Sequence, residues 1–317
     1  MKLREAIELY VAFRKSAGAD FRSSEHLLAT FCRSVTKEAN VEDVDEEHVA
    51  VFLRGKGNFT GYWHRKHSAL LGFYRYAVSR GYVSRLPVPT TVPKQPAAVT
   101  PYINSQDELR RLLDATERYR KWKHRLLLEP QTFRTLLLLL YGAGLRGCEA
   151  RRLKLSDVNT AAAMLTIRDT KFYKTRLVPL GPDLNGVIAE YAEWRVAVHP
   201  LRNGDESLFV DRKGALLQDY AVRRAFADLR IAAGVKRNDG ARYQPRLHDL
   251  RHGFAVDRLT AWYREGKDVQ KLLPALSTYL GHINIAATQV YLTMTPELLR
   301  QACRRFERYA FGEGGHE

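Results

Sequence analysis

The sequence predicts a mainly α protein of two domains, with a small β-hairpin or sheet in the second. Three observations carry this prediction: helical spacing of apolar residues through 1–88, a proline-rich stretch at 89–104, and an alternating segment, LTIRDTKFYKTRLVPL, at 165–180. The chain has 317 residues, 45% of them hydrophobic, which is enough material for two cores.

The first domain is expected at 1–88 and is expected to be all-helical. Apolar residues recur at helical spacing in 1–16 and 23–35, and VEDVDEEHVAVFLRG begins with the acidic residues that favour a helix N-terminus. A further helix is predicted from TGYWHRKHSALLGFYRYAVSRG, with Gly81 at its end. Its apolar stripe is Trp63, Leu70, Tyr74 and Ala77.

The linker is expected at 89–104, because the prolines at 87, 89, 93, 96 and 101 interrupt any helix. The second domain, 105–317, is expected to begin with a helix capped by Ser105 and Glu108. QTFRTLLLLLYGAG predicts a buried helix, SLFVD a short strand, and the sequence from 218 onward more helices.

The charge of the chain favours a polyanionic partner. Lys and Arg number 51 against 35 Asp and Glu, a net charge of +16, which suits a protein that binds nucleic acid. No segment reaches the roughly 18 consecutive apolar residues of a membrane-spanning helix, and the N-terminus lacks the apolar core of a signal peptide. The three scattered cysteines indicate a reducing compartment. We therefore expect a cytoplasmic, nucleoid-associated protein with no membrane partner.

The basic residues of the first domain are unevenly placed. Between Glu47 and Asp107 the chain has no acidic residue, while basic side chains are interspersed with aromatic ones. This pattern predicts a surface that follows DNA phosphates, although a solvated basic helix face is the alternative. The expected DNA-binding residues are Arg54, Lys56, Arg65, Lys66, Arg75 and Arg80.

Three short phrases contain the candidate chemistry: GLRGCE at 144–149, HDLRH at 248–252, and LGHINIAATQVYL, which ends just beyond Tyr291. Guanidinium forks match two phosphate oxygens at once, imidazoles can exchange protons, and a phenol can attack phosphorus. The sequence offers no acidic cluster for a metal and no zinc-ligand spacing, so we expect no metal and no cofactor. The phrases indicate DNA strand transfer through a tyrosine.

The spacing within these phrases predicts local geometry. His248 and Arg251 lie at i and i+3, so on a helix both side chains point into the same space, whereas the adjacent His252 is expected to face elsewhere. His282 and Tyr291 are nine residues apart and would lie on opposite faces of one helix. A break is therefore required, with Gly281 ending one helix and Asn284 capping the next.

In this order, the phrases resemble those of the tyrosine recombinases, or phage-type integrases, in their Xer-like and transposon-borne branches. The resemblance covers roughly 100–300 well and 1–88 loosely. It implies a helical core-binding domain of SAM-like fold and a mixed α+β catalytic domain, together forming a clamp on DNA. It also implies that Tyr291 attacks a phosphate held by Arg146, His248, Arg251 and His282, which leaves a 3′-phosphotyrosine and a free 5′-hydroxyl.

The resemblance further implies that a lysine in the β-hairpin protonates the leaving oxygen. Counting back from RLVPL gives Lys171, but Thr170 and Phe172 stand where the family often has glycines, so Lys174 is a rival. Glu149 matches the acidic residue that supports the first arginine of the family.

The partners implied are a double-stranded DNA recombination site and a homotetramer working on two duplexes. The C-terminal helix either packs on its own domain or docks in trans on a neighbouring protomer. The segment YLTMTPELL, which begins at Tyr291, resembles that of transposon- and plasmid-borne integrases. This resemblance implies that the protein acts on a mobile element or plasmid. The alternatives are a type IB topoisomerase and a non-catalytic DNA-binding accessory protein.

Overall fold

The chain divides into two compact units, Met1–Ala98 and Val99–Glu317. The computed structural model describes residues 1–36, 38–55, 61–95, 100–122, 128–168, 175–201, 206–294 and 296–311. Within these ranges no helix is both long enough and apolar enough to cross a membrane.

The first unit is helical, as predicted. Its α-helices are α1 (Leu3–Ser16), α2 (Arg22–Ser34), α3 (Glu46–Arg54) and α4 (Gly61–Ser79). The predicted stripe of α4 is buried and joins a core to which all four helices contribute. Asp45 caps α3, because its carboxylate accepts the backbone N–H of His48 at 2.9 Å.

The second unit contains the remaining helices and the sheet. Its α-helices are α5 (Gln106–Trp122), α6 (Pro130–Gly142), α7 (Gly147–Arg152), α8 (Pro182–Val198), α9 (Asp219–Ala232), α10 (Asp249–Arg264), α11 (Val269–Leu280), α12 (Ala286–Gln289) and α13 (Pro296–Phe311). The predicted cap of α5 is present, with reciprocal Ser105–Glu108 hydrogen bonds of 2.9 and 3.2 Å. The apolar α6 is buried, as predicted.

The sheet has three antiparallel strands in the order β1 (Val158–Asn159), β2 (Met164–Ile167) and β3 (Arg176–Pro179). The predicted hairpin is confirmed, with Leu165 opposite Val178, and both side chains are buried. The prediction of a strand at SLFVD is wrong, because Ser207 and Val210 form only isolated bridges, to Lys154 and Leu216. β1 and α8 were not predicted.

The end of the proline-rich segment packs on the second unit. Arg237, itself buried, donates a hydrogen bond of 2.7 Å to the carbonyl of Thr100 and lies over the ring of Tyr102. Ile103 packs against the buried cluster that contains Tyr291. Residues 100–104, which the sequence analysis assigns to the linker, thus lie in the second unit.

Candidate active site

The site is organised around the C-terminal end of α11, where three successive carbonyls each accept a hydrogen bond from an arginine. Arg176 Nε donates to Tyr279 O at 2.8 Å, Arg251 Nη2 to Leu280 O at 2.6 Å, and Arg146 Nη2 to Gly281 O at 2.6 Å. The last carbonyls of a helix lack intrahelical partners. The guanidiniums therefore satisfy the helix end and are fixed by it.

Gly281 permits this arrangement. It has a left-handed φ of +66°, which ends α11 as predicted. A Cβ at this position would also lie 2.9 Å from Arg176 Nη1 and 3.2 Å from Arg146 Nη1. Only glycine provides both the turn and the space for two arginines.

Glu149 connects two of these arginines. Its carboxylate accepts hydrogen bonds from Arg146 Nη1 at 2.6 Å and from the Arg146 backbone N–H at 3.0 Å, as expected of an acidic residue at the third position of α7. Arg176 binds both carboxylate oxygens, at 3.0 and 2.9 Å. Burial alone would raise the pKa of Glu149, but Arg176 and then Arg146 outweigh it and lower the pKa to about 2.

Arg251 is 2% exposed on the first turn of α10. Its Nη1 donates to Gly144 O at 2.6 Å, so it joins the loop before α7 to the end of α11. Burial, followed by the charge of Arg146, lowers the pKa of Arg251 to about 10. The group therefore remains charged at neutral pH.

Tyr291 lies in a 3₁₀ turn, Val290–Thr293, that follows α12, and its side chain is 3% exposed. The predicted break is confirmed: Gly281 ends α11, and the Asn284 side chain caps the next turn by accepting the N–H of Ala287 at 3.1 Å. The break brings the rings of His282 and Tyr291 to 6.1 Å between centroids, in a stacked arrangement.

Three histidines, His248, His252 and His282, lie beside Tyr291 or beside one another. His282 Nδ1 lies 2.7 Å from the hydroxyl of the buried Thr288, which fixes the imidazole. His248 precedes α10, and its ring contacts that of His252 with 4.7 Å between centroids. The prediction that His252 faces elsewhere is wrong, because His252 Nδ1 lies 3.1 Å from Tyr291 Oη.

The three histidines are neutral in the protein at neutral pH. The pKa of His248 and that of His282 are lowered to about 4, first by burial and then by the positive charge of Arg251. The pKa of His252 is lowered to about 3, first by burial and then by His248. Burial also raises the pKa of Tyr291, and the charge of Arg251 only partly offsets it. The protein alone therefore does not generate a phenolate.

The predicted site residues fall into two groups. The structure brings together Arg146, Glu149, His248, Arg251, His282 and Tyr291. Lys171, its rival Lys174, and Lys56 lie outside the described residues. Within the described ranges, no group of three or more His, Cys, Asp or Glu side chains is placed to hold a metal ion.

The basic residues of the first unit are also of two kinds. Arg54, Arg65, Arg75 and Arg80 are exposed. Lys66 is 8% exposed, its ammonium donates to Phe52 O at 2.7 Å, and it lies over the Phe52 and Tyr62 rings. Burial lowers the pKa of Lys66. Its expected role as a surface contact is therefore corrected, because the amine is used inside the unit.

Two residues of the site were missed from the sequence. His252 could have been found, because it lies four residues after His248, a spacing that places both on one helix face. Arg176 gave no such signal, because its contacts to Glu149 and Tyr279 are 27 and 103 residues away in sequence.

The buried Tyr291 stacks on His282, lies within hydrogen-bond distance of His252, and is close to two arginines that meet at a helix end. This arrangement is typical of one class of enzyme, the tyrosine-type site-specific DNA recombinases. The phage integrase family model matches residues 104–297. The integrase/recombinase y4rB of Sinorhizobium fredii is 35% identical over 96% of this chain and 97% of its own length. Tyrosine recombinase XerA of Thermococcus kodakarensis is 31% identical over 74% and 71%. The chain belongs to the phage integrase family.

Solved structures share the fold. The Tn1549 transposon integrase, in complex with transposon right end DNA, has a TM-score of 0.66 at 15% identity and covers 98% of this chain and 100% of its own. A lambda integrase dimer bound to a COC′ core site has a TM-score of 0.63 at 17% identity, covering 93% and 78%. At these identities the likeness concerns the fold alone. The predicted architecture, mainly helical with a small sheet, is confirmed.

Proposed function

We propose that this recombinase cuts and rejoins DNA through a 3′-phosphotyrosine on Tyr291 and serves a mobile element or plasmid. The observation that supports the proposal is the meeting of Tyr291 with Arg251 and His252 in a buried pocket beside Arg146. Planar guanidiniums recognise phosphate oxygens in pairs. A dry pocket strengthens their stabilisation of the charge that develops on phosphorus.

In this proposal Arg146 and Arg251 bind the non-bridging oxygens of the scissile phosphate, and His248 and His282 donate further hydrogen bonds. Neutral imidazoles still have one N–H each, so they do not need to be charged for this role. Arg176 and Glu149 hold Arg146 in position. The energy of the phosphodiester is kept in the phosphotyrosine, so resealing requires no nucleotide.

The DNA is proposed to continue away from the scissile phosphate along a basic cavity of about 590 Å³, whose lining includes Arg146, Arg223, Arg230, Arg246 and His248. The exposed arginines of the first unit are proposed to bind phosphates of the same duplex; they are Arg54, Arg65, Arg75 and Arg80. The first unit is thus proposed to be the core-binding domain and the second the catalytic domain.

We further propose that the enzyme acts as a homotetramer on two duplexes in the cytoplasm, at the nucleoid. The first turn of α13 packs on its own chain, where Leu298 is buried and Glu297 pairs with Arg264 at 2.9 Å. Farther along α13, Phe306 is exposed. This apolar side chain is the part of α13 that we propose docks on a neighbouring protomer.

A nicked suicide duplex tests the proposed function. When the cleaved fragment diffuses away, the enzyme should remain joined to DNA, and digestion of the adduct should yield a nucleotide-bearing peptide that contains Tyr291. Attachment at another residue, or attachment through a 5′-phosphate, would overturn the proposal. Relaxation of supercoiled DNA without strand exchange between two sites would instead support the topoisomerase alternative.

The proposed general acid is Lys171. Lys171→Ala is expected to slow cleavage about 10²–10⁴-fold, the usual contribution of a positioned proton donor, and Lys174→Ala is expected to slow it much less. A duplex with sulfur at the 5′-bridging position needs no proton on its leaving group, so it should restore the rate of the Lys171 variant. Lys213→Ala, on an exposed surface, is the control. Sulfur rescue of the Lys174 variant alone would assign the role to Lys174.

A further inference from the structure

His252 is the one imidazole whose nitrogen lies within hydrogen-bond distance of the Tyr291 hydroxyl among the described residues, at 3.1 Å from Nδ1 to Oη. Neither the phosphate-binding roles proposed above nor the support of Arg146 uses it. Its ring is 5.5 Å from the Tyr291 ring, tilted by 55°, and touches the His248 ring on another side.

The hydrogen of the phenol has a defined acceptor. The positive charge of Arg251 acts on Tyr291, so it favours an orientation of the hydroxyl in which an oxygen lone pair faces the guanidinium and the O–H points away from it. In that orientation the hydroxyl donates to His252 Nδ1, 3.1 Å away. This requires the neutral tautomer that has its hydrogen on Nε2, which leaves the Nδ1 lone pair toward the phenol.

We infer that His252 is the general base that removes the proton of the Tyr291 hydroxyl when Tyr291 attacks DNA. The Tyr291 O–H bond breaks and its proton passes to His252 Nδ1, while Oη forms a bond to phosphorus. The bond from phosphorus to the 5′-oxygen then breaks, and that oxygen takes a proton from the general acid. In rejoining, His252 returns its proton to the departing tyrosine oxygen. The inference rests on the proposed role of Tyr291.

The charges around His252 explain how its basicity depends on DNA. The groups that act on it, beyond Tyr291, are His248, Arg246, Arg251 and His282. Burial and these groups lower the pKa of His252, which keeps its lone pair free but makes it a weak base. A bound phosphodiester brings an opposing negative charge beside the arginines, so it raises the pKa of His252 as the substrate arrives. The base thus becomes effective only when DNA is in place.

Two substitutions separate proton removal from simple positioning. His252→Ala removes the acceptor. His252→Asn keeps a polar amide near the position of Nδ1, but the amide is too weakly basic to take the proton of the phenol. Both are expected to slow single-turnover cleavage of the suicide duplex by about 10²–10⁴-fold. Across pH 6–9 their log rates should rise with a slope of about one, because hydroxide replaces the base, whereas the wild-type profile should be flatter. Added imidazole should partly restore His252→Ala. His26→Asn, exposed on α2, is the control.

The leaving group distinguishes this role from that of the acid. A 5′-bridging sulfur should leave the His252 variants slow, because it does not help the attacking phenol. A His252→Asn protein with the wild-type rate and pH profile, or a His252 variant restored by sulfur, would overturn the inference. Failure of the proposed function has a different signature: Tyr291→Phe would still form the adduct, or the wild type would form none. Circular dichroism of each variant establishes that it is folded before its rate is compared.

Discussion

Tyr291→Phe is expected to abolish covalent joining to DNA while the protein still folds and binds its site. The substitution removes only the hydroxyl, and the ring keeps its place in the buried cluster formed by α10, α11 and Leu298. Loss of a nucleophile that works together with a base costs about 10⁶ in rate in the best-studied hydrolases. We expect a comparable loss here, which places adduct formation below detection.

The stability of this variant should change little. The phenol loses its hydrogen bond to His252, so an imidazole nitrogen in a buried pocket loses a partner, at a cost of about 1 kcal/mol in the free energy of unfolding. DNA affinity, which depends mainly on contacts to phosphates, should stay near that of the wild type. Denaturing gels, gel-shift titrations and thermal melts measure the three quantities separately.

Tyr191→Phe is a matched control. Tyr191 is also buried in the second unit, and its hydroxyl makes one hydrogen bond, of 3.1 Å to Thr132. It should lose a similar free energy of unfolding and keep full cleavage. An adduct that persists in Tyr291→Phe would show that another residue is the nucleophile. A Tyr191 variant that also loses cleavage would show that the assay reports folding rather than chemistry.

The sequence was informative wherever helical geometry alone decides the outcome. Residues nine apart cannot share a helix face, so His282 and Tyr291 required a break, and Gly281 and Asn284 were the residues suited to make it. The hairpin, the cap of α5 and the stripe of α4 were predictable for the same reason, since each depends on periods of two or 3.6 residues.

The parts that could not be predicted depend on what each side chain meets across the fold. Arg176 resembles any polar strand residue until the end of α11 and Glu149 are placed around it. Lys66 belongs by sequence to a basic, exposed series, yet its stem and ammonium lie inside the first unit. The protonation of the histidines also depends on the fold. Burial keeps the imidazoles of His248 and His252 neutral, and the segment HDLRH alone does not show that they are buried.

Glu149→Gln is expected to lower the free energy of unfolding by roughly 3–5 kcal/mol at neutral pH, the usual result of removing one partner from a buried ion pair. The Glu149 side chain is 4% exposed, and it is bound by Arg146, at 23%, and Arg176, at 11%. Glutamine keeps the shape but has no charge, and its amide group offers donors where both neighbours also donate. The two guanidiniums would then be left close together without a counterion, so cleavage should fall as well.

Asp107→Asn is the control for this change. Asp107 also pairs with an arginine three residues away, Arg110, but both side chains are largely exposed, at 84% and 74%. Exposed pairs contribute about 0–1 kcal/mol. Asp107→Asn should therefore shift the urea midpoint only slightly, which separates the effect of burial from the mere loss of a carboxylate.

The pH dependence provides a second test of the Glu149 pair. The pKa of Glu149 falls from an ordinary value of 4.5 to about 2 on folding. A carboxyl whose folded pKa is depressed contributes stability above its unfolded pKa and loses it as pH falls through the folded pKa. At about 1.4 kcal/mol for each pKa unit, the contribution is about 3 kcal/mol. The free energy of unfolding of the wild type should exceed that of Glu149→Gln by a constant amount from pH 7 to about 5. The difference should then shrink steadily between pH 4.5 and 2. A difference that stays constant over that lower interval would mean that the carboxylate is not held charged by the two arginines, and that Arg146 is positioned by the end of α11 alone.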